Sequence, residues 1–78
     1  MPKIKVVIVE DLEEVVEGLA AFIQADEALQ LTGSYRTAEA ALLEVSLLKP
    51  DIILMDINLP GMSGIECVRQ VKQQLPAT

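Results

Sequence analysis

The sequence predicts an α/β fold in which a small parallel sheet is covered by helices on both faces. Three short apolar runs, Ile4–Val9, Leu29–Tyr35 and Asp51–Asp56, predict strands, and the β-branched stretch within the first is typical of a strand buried on both faces. A segment with helical spacing of its apolar residues follows each run. Strands that alternate with amphipathic helices indicate a parallel sheet, so the element order is βαβαβα.

The first helix is predicted from apolar residues that follow the strand Ile4–Val9. Val15, Leu19, Phe22 and Ile23 recur at positions i, i+4, i+7 and i+8, which places them on one face of a helix. We expect this face to pack against the sheet.

The second strand, Leu29–Tyr35, leads into a second helix. Thr37 is a favourable N-cap residue for that helix. Its apolar stripe comprises Ala38, Ala41, Leu42, Val45 and Leu48. The helix should end at Lys49, because a residue that precedes proline is disfavoured in the helical conformation.

The third strand, Asp51–Asp56, is followed by a loop rich in Pro and Gly and then by a third helix. Ser63 and Glu66 have the spacing of a capping box at the start of this helix. The residues expected to face inward are Ile65, Val68, Val71 and Leu75. Pro76 ends the helix.

Right-handed crossovers decide how these elements are arranged. With the strand order 2-1-3, as in flavodoxin-like sheets, the two crossovers run in opposite directions. The first helix then covers one face of the sheet, and the second and third helices cover the other.

Three acidic residues follow two strands that this order makes neighbours. Glu10 and Asp11 come after the first strand, and Asp56 ends the third. The carboxyl ends of these strands meet at a topological switch point, where open α/β sheets usually bind ligands. Carboxylates this close repel one another unless a cation lies among them, and oxygen ligands suit Mg²⁺ or alternatively Mn²⁺. The alternative interpretation is that these acids occupy ordinary surface turns.

Composition excludes several classes of function. The chain has 78 residues, enough for one small domain, and six basic against twelve acidic residues give a net charge of −6. Nonspecific nucleic-acid binding depends on Lys and Arg, so it is not expected. The absence of His and the single Cys67 exclude histidine catalysis, an internal disulfide and Cys-rich zinc sites. A reducing, cytoplasmic location fits best, and the apolar runs are too short for a signal peptide or a membrane span.

Two motifs resemble the signatures of a known family. Val7–Asp11 and Leu54–Gly64, the latter reading Leu-Met-Asp-Ile-Asn-Leu-Pro-Gly-Met-Ser-Gly, look like those of the receiver domain of bacterial two-component response regulators. The resemblance covers Lys3–Pro76 and includes the element order and the spacing between the acids. The sequence as a whole, rather than any one motif, is most similar to LuxR/NarL-type regulators, whose receiver precedes a DNA-binding output domain.

The resemblance implies a role for each site residue. Asp56 would be the phosphoacceptor, taking a phosphoryl group from a sensor histidine kinase. Asp11 would bind Mg²⁺ directly and Glu10 through water, while an Asp56 oxygen and the backbone carbonyl of Asn58 would complete the protein ligands. The chain would then be a signalling protein rather than an enzyme, and it would contact DNA only through an output domain.

The resemblance also implies a larger domain. A receiver has five strands and five helices, so residues 1–78 correspond to its N-terminal portion, and we expect the protein to be part of a longer transcriptional regulator. The family's hydroxyl residue after strand 4 and its Lys after strand 5 have no counterpart in this sequence. The third strand would become an exposed edge, which favours self-association or strand exchange.

Other functions fit the sequence less well. A haloacid-dehalogenase-like phosphatase would need a second Asp where Asn58 stands, and its nucleophile would lie on the first strand. A nucleotide-binding half-domain would need glycines after the first strand, where this chain has acids. A receiver-like interaction module that is never phosphorylated remains the main alternative.

Overall fold

The structure, a computed structural model, describes residues 2–78 and consists of a three-stranded parallel sheet with three helices. The elements in chain order are β1 (Ile4–Val9), α1 (Glu13–Gln24), β2 (Leu29–Tyr35), α2 (Ala38–Leu48), β3 (Ile52–Met55) and α3 (Gly64–Gln74). The strand order is β2-β1-β3, with both pairings parallel. The predicted element order, strand order and strand direction are therefore confirmed.

The strand register places the ends of β1 and β3 side by side. Val6 pairs with Ile52 and Val9 pairs with Met55, the last residue of β3. The next amide, that of Asp56, donates a hydrogen bond to the Val9 carbonyl at 2.9 Å. The residues that follow these two strands consequently emerge next to each other at the same edge of the sheet.

β1 is the centre of the fold because its side chains fill the core on both faces of the sheet. Val7 and Val9 belong to the apolar cluster formed with α2 and α3, whereas Val6 and Ile8 belong to the cluster formed with α1. All four side chains are almost completely buried. The predicted division of the helices between the two faces is confirmed.

The inward face of α1 differs from the prediction. Leu19 and Ile23 pack against the sheet as expected, together with Val16 and Ala20. Val15 and Phe22, predicted to face inward, are exposed, Phe22 to 76%. α1 carries apolar residues on more than one side, so the spacing alone did not fix which side would meet the sheet.

α3 is rotated from its predicted orientation in the same way. Val71 is buried and Leu75 is half-buried as expected, but Ile65 and Val68 are exposed. Cys67 is completely buried in their place. Burial and the nearby charge of Glu39 raise the pKa of its thiol, so it remains protonated at neutral pH.

Side-chain caps fix where α2 and α3 begin. The Thr37 hydroxyl accepts a hydrogen bond from the Ala40 amide at 3.1 Å, and the Ser63 hydroxyl accepts one from the Glu66 amide at 3.2 Å. Both predicted N-cap residues are confirmed, but the reciprocal bond of a capping box is not formed, because the Glu66 carboxylate accepts from Arg69 and Gln70 instead. α2 ends as predicted at Lys49, which adopts a left-handed conformation with φ 46° before Pro50. Within residues 2–78, no helix combines the length and apolar character needed to cross a membrane.

Candidate functional site

Three carboxylates converge at the carboxyl edge of the sheet. Glu10 and Asp11 follow β1 directly and Asp56 follows β3 directly, so the strand register sets their positions. One oxygen from each side chain lies within 4.8 Å of the other two. All three residues are half-buried. The structure thus brings together the three acids that the sequence analysis singled out.

Glu10 is held in place by the backbone that follows it. One of its carboxylate oxygens, Oε2, accepts hydrogen bonds from the amides of Asp11 at 2.9 Å and Leu12 at 3.4 Å. Burial raises the pKa of Glu10, and the Asp56 carboxyl raises it further, although the two backbone amides act in the opposite direction.

The donor atoms of this cluster fit a hard divalent cation. Carboxylate oxygens are the ligands that Mg²⁺ and Mn²⁺ prefer, and a cation among three acids relieves their mutual repulsion. Zn²⁺ sites usually include His or Cys ligands, and neither residue belongs to this cluster. The arrangement can therefore place a divalent cation beside the Asp56 carboxylate.

The loop after β3 borders the cluster on one side. The Asn58 amide donates a hydrogen bond to Asp56 Oδ1 at 3.0 Å, which fixes the orientation of the Asp56 carboxylate. Leu59 is buried, so the loop is attached to the core immediately after Asn58. The predicted role of the Asn58 carbonyl as a metal ligand stays a prediction.

The two glycines of this loop serve different purposes. Gly61 has φ +75°, a conformation that side chains disfavour. Gly64 is needed for close approach instead, because a Cβ on it would lie 2.0 Å from the backbone oxygen of Asp56. The missing side chain of Gly64 thus allows α3 to begin directly beside the Asp56 backbone.

Two further residues at this edge were not identified from the sequence. Arg36, which follows β2, forms an ion pair with Glu13 in the first turn of α1. Glu39, in the first turn of α2, accepts a hydrogen bond from the Met62 amide at 3.3 Å. No sequence signal connects either pair, because each joins elements that become neighbours only through the sheet order.

Comparison with known families agrees with this geometry. The family model for the response regulator receiver domain matches residues 6–78. A protein-glutamate methylesterase/protein-glutamine glutaminase of Syntrophus aciditrophicus is 42% identical over 73 residues, which cover 94% of this chain and 21% of that protein. The transcriptional regulatory protein LnrK of Bacillus subtilis is 36% identical, over 95% of this chain and 34% of that protein. The chain therefore spans only about a fifth to a third of these relatives.

Solved structures show the same fold. The response regulator domain of Thermotoga maritima CheB superposes with a TM-score of 0.91 and 28% identity, over 97% of this chain and 57% of that chain. The signal receiver domain of NarL from Mycobacterium tuberculosis gives a TM-score of 0.91 and 27% identity, over 97% of this chain and 62% of that chain. The NarL match agrees with the resemblance to LuxR/NarL-type regulators. The chain belongs to the response regulator receiver domain family of two-component systems.

Proposed function

We propose that this chain is a phosphoacceptor in which Asp56 takes a phosphoryl group from a phosphohistidine of a sensor histidine kinase. Receiver domains are signalling domains phosphorylated by such kinases, and this is the function of the family. The observation that best supports the assignment to Asp56 is the cluster of Glu10, Asp11 and Asp56, whose oxygens lie within 4.8 Å of one another. Asp56 is the member of that cluster that lies within Leu54–Gly64, the second motif that resembles the family's signatures.

The proposed step is an in-line displacement at phosphorus. An oxygen of the Asp56 carboxylate attacks and forms a P–O bond, the P–N bond to the histidine breaks, and the histidine nitrogen keeps the electron pair. The product is an acyl phosphate on Asp56. The Asn58 amide supports the attack because its 3.0 Å hydrogen bond to Oδ1 restricts rotation of the carboxylate.

The residues proposed to hold Mg²⁺ are Asp11 directly, Glu10 through water, an Asp56 oxygen and the Asn58 backbone carbonyl. When bound, the cation offsets the negative charge of the phosphoryl oxygens. Mn²⁺ uses the same oxygen donors and is proposed as an alternative.

We further propose that residues 1–78 are the N-terminal portion of a receiver domain in a longer regulator. The solved receiver domain of CheB extends well beyond the 57% of its chain that matches here. LnrK, by its description, is a transcriptional regulator, which supports a DNA-binding output domain outside this segment. The methylesterase relative carries a different output, so the proposal that the protein is not an enzyme is limited to this segment. A cytoplasmic location is part of the same proposal.

Association through β3 is a separate proposal about partners. Within residues 2–78, β3 pairs only with β1, and its other edge has no strand beside it. A groove of about 120 Å³ along that edge is lined mainly by apolar residues of β3 and α3. An open apolar edge favours pairing with another chain, so we propose self-association or strand exchange there.

A receiver-like module that is never phosphorylated is the less favoured function. Such a module would have no need to keep three carboxylates together at an energetic cost, and here they are assembled at one edge. The edge of β3 could serve either kind of protein, so it does not distinguish them.

Intact-mass spectrometry after incubation with Mg²⁺ and acetyl phosphate tests the proposed function. We expect the gain of one phosphoryl group, which should be lost when a chelator is added and in the variant Asp56→Asn. Asp51→Asn is the matched control, because Asp51 lies at the opposite end of β3, where its carboxylate accepts a hydrogen bond from the Lys5 amide. Equal phosphorylation of Asp56→Asn and the unmodified chain would refute the assignment to Asp56.

A further inference from the structure

We propose that Glu39 is a positioning residue for the site, because its carboxylate on α2 holds the loop that follows Asp56. This inference rests on the proposed function, in which that loop supplies the Asn58 carbonyl. Glu39 does not belong to the acid cluster itself, and its role would be to fix the backbone that borders the cluster.

The loop between β3 and α3 has few attachments. At its start, the Asn58 amide is bound to Asp56 Oδ1 at 3.0 Å, and near its end the Gly64 amide donates to the Ile57 carbonyl at 3.1 Å. In the stretch between them, the Met62 amide donates to Glu39 Oε2 at 3.3 Å. Gln70 on α3 also reaches Met62, through a long contact of 3.9 Å from its Nε2 to the sulfur, but Glu39 is the residue outside the loop that binds the Met62 backbone amide.

Gly61 lies directly beside the Glu39 carboxylate. A Cβ on Gly61 would lie 2.8 Å from Glu39 Oε2, closer than such contacts occur. The residue also has φ +75°, which turns the chain so that the next amide, that of Met62, points at the same oxygen. The conformation of Gly61 serves the contact with Glu39, whereas its small size is less important, because an added Cβ would meet only the end of the Glu39 side chain, which can move aside.

The backbone of Glu39 is held in place by the start of α2. It lies in the first turn of α2, which Thr37 caps through the Ala40 amide. Its neighbours Ala38 and Ala41 are buried in the core that α2 shares with α3. A carboxylate attached to a fixed helix end can transmit that fixed position to a loop that is otherwise largely exposed.

Asn58 lies between the two attachments of the loop. Its own amide is bound to Asp56, and the chain beyond it is held by buried Leu59 and by the Met62 amide on Glu39. Loss of the Glu39 contact would release the stretch around Met62 and leave buried Leu59 to hold the chain that follows Asn58. Cation binding would then weaken, although all three carboxylates of the cluster would be unchanged.

Two substitutions at position 39 separate the hydrogen bond from the charge. Glu39→Gln removes the charge but keeps an acceptor oxygen, whereas Glu39→Ala removes both. Glu44→Ala, on an exposed face of the same helix, is the control for truncating a glutamate that does not touch the loop. We expect Glu39→Ala to weaken Mg²⁺ binding measured by calorimetry about 3–10-fold, the loss of roughly one net hydrogen bond. Glu39→Gln and Glu44→Ala should remain within about twofold of the unmodified chain.

Hydrogen exchange by NMR gives a readout that does not depend on the cation. In Glu39→Ala the Met62 amide should exchange at least severalfold faster and the Asn58 resonance should shift, while core amides such as that of Val7 stay protected. Equal Mg²⁺ affinities for Glu39→Ala and Glu39→Gln, or an unchanged Met62 exchange rate in Glu39→Ala, would overturn the inference. If the unmodified chain binds no Mg²⁺, the proposed metal site fails, and the inference about Glu39 is then decided by the Met62 exchange alone.

Discussion

At the residue scale, the site depends on two glycines, Gly61 and Gly64, as well as on its acids. The strand register sets the position of Asp56, and α3 can start directly beside its backbone because position 64 is a glycine. Gly61 lies next to the carboxylate of Glu39, which is the end of a flexible side chain. Gly18 in α1 has no such duty, since nothing lies within 4 Å of the place where its Cβ would be. Glycine is therefore required for packing at position 64, but it is not required at position 18.

Alanine substitutions at Gly64 and Gly18 should have opposite effects on stability. We expect Gly64→Ala to destabilise the fold by about 3 kcal/mol, because the new Cβ would meet backbone atoms that cannot move aside cheaply. Gly18→Ala should stabilise it by about 1 kcal/mol, the usual difference between the two residues within a helix. Urea unfolding followed by circular dichroism measures both, as the chain contains no Trp. Similar destabilisation by the two substitutions would contradict the assigned role of Gly64.

Most of the acid cluster was predictable from the sequence, but its support was not. Glu10, Asp11 and Asp56 are the first polar residues after two apolar strands, so the strand order alone determines that they meet. Glu39 was not predictable in this way. Its contact with Met62 depends on the path of a loop and on the rotation of α2, and neither leaves a periodic signal in the sequence.

At the element scale, the strands were predicted more accurately than the helix faces. The bounds of β1 and β2 agree with the prediction, and β3 is shorter by one residue at each end, at Asp51 and Asp56. In a strand that is buried on both faces, such as β1, both sets of side chains face the core, so there is no inward face to predict wrongly. In a helix with apolar residues on several sides, the inward face has to be chosen. Both α1 and α3 turn a different side to the sheet than predicted, and Phe22 and Ile65 are left exposed.

The acid stability of α3 provides a prediction at this scale. Hydrogen bonds from Arg69 and then Gln70 lower the pKa of Glu66 from 4.5 to about 2. A carboxyl whose folded pKa is depressed stabilises the fold above its unfolded pKa, and this contribution is lost as the pH falls through its folded pKa. The stability advantage of the unmodified chain over Glu66→Gln should therefore be constant above pH about 5 and should shrink between about 4.5 and about 2.

Urea midpoints of both chains across that pH range measure the effect. Glu44→Gln is the control, because within residues 2–78 the structure shows no hydrogen bond to the Glu44 side chain. Glu66 is exposed enough that added salt should reduce the difference. A difference that does not change with pH would show that the Arg69 pair contributes nothing to the folded state.

At the scale of the whole molecule, part of the exposed apolar surface of residues 2–78 lies around β3, and the rest lies on α1, on α2 and at the start of β1. Within the described residues, β3 has a free edge, and Ile52, Ile57, Ile65 and Val68 around it are all exposed. A small domain buries too little surface to be very stable alone, so further burial at this side would be favourable. The acid cluster lies at the carboxyl end of the same strand. A partner that binds along the side of β3 and its groove would leave the cluster accessible, whereas a partner that extends over the end of β3 would cover it.

Sedimentation velocity tests association through this edge. We expect the unmodified chain to form larger species as its concentration rises through the micromolar range, because the free edge offers unpaired backbone groups. Ile52→Lys should shift the distribution to the monomer, since a charged side chain on an edge strand opposes pairing. A stable monomer of the unmodified chain at all concentrations would exclude the proposal, without bearing on the acid cluster.

The most direct test of the central claim is a Mg²⁺ titration followed by two-dimensional NMR. If β1 and β3 assemble a cation site, the amides of Glu10, Asp11, Asp56 and Asn58 should shift together and saturate at one binding constant. The shifts should be lost in Asp11→Asn and kept in Asp51→Asn. Shifts without saturation, spread over exposed acids such as Glu14 and Glu17, would contradict the claim, because they would show that the three carboxylates act as ordinary surface charges.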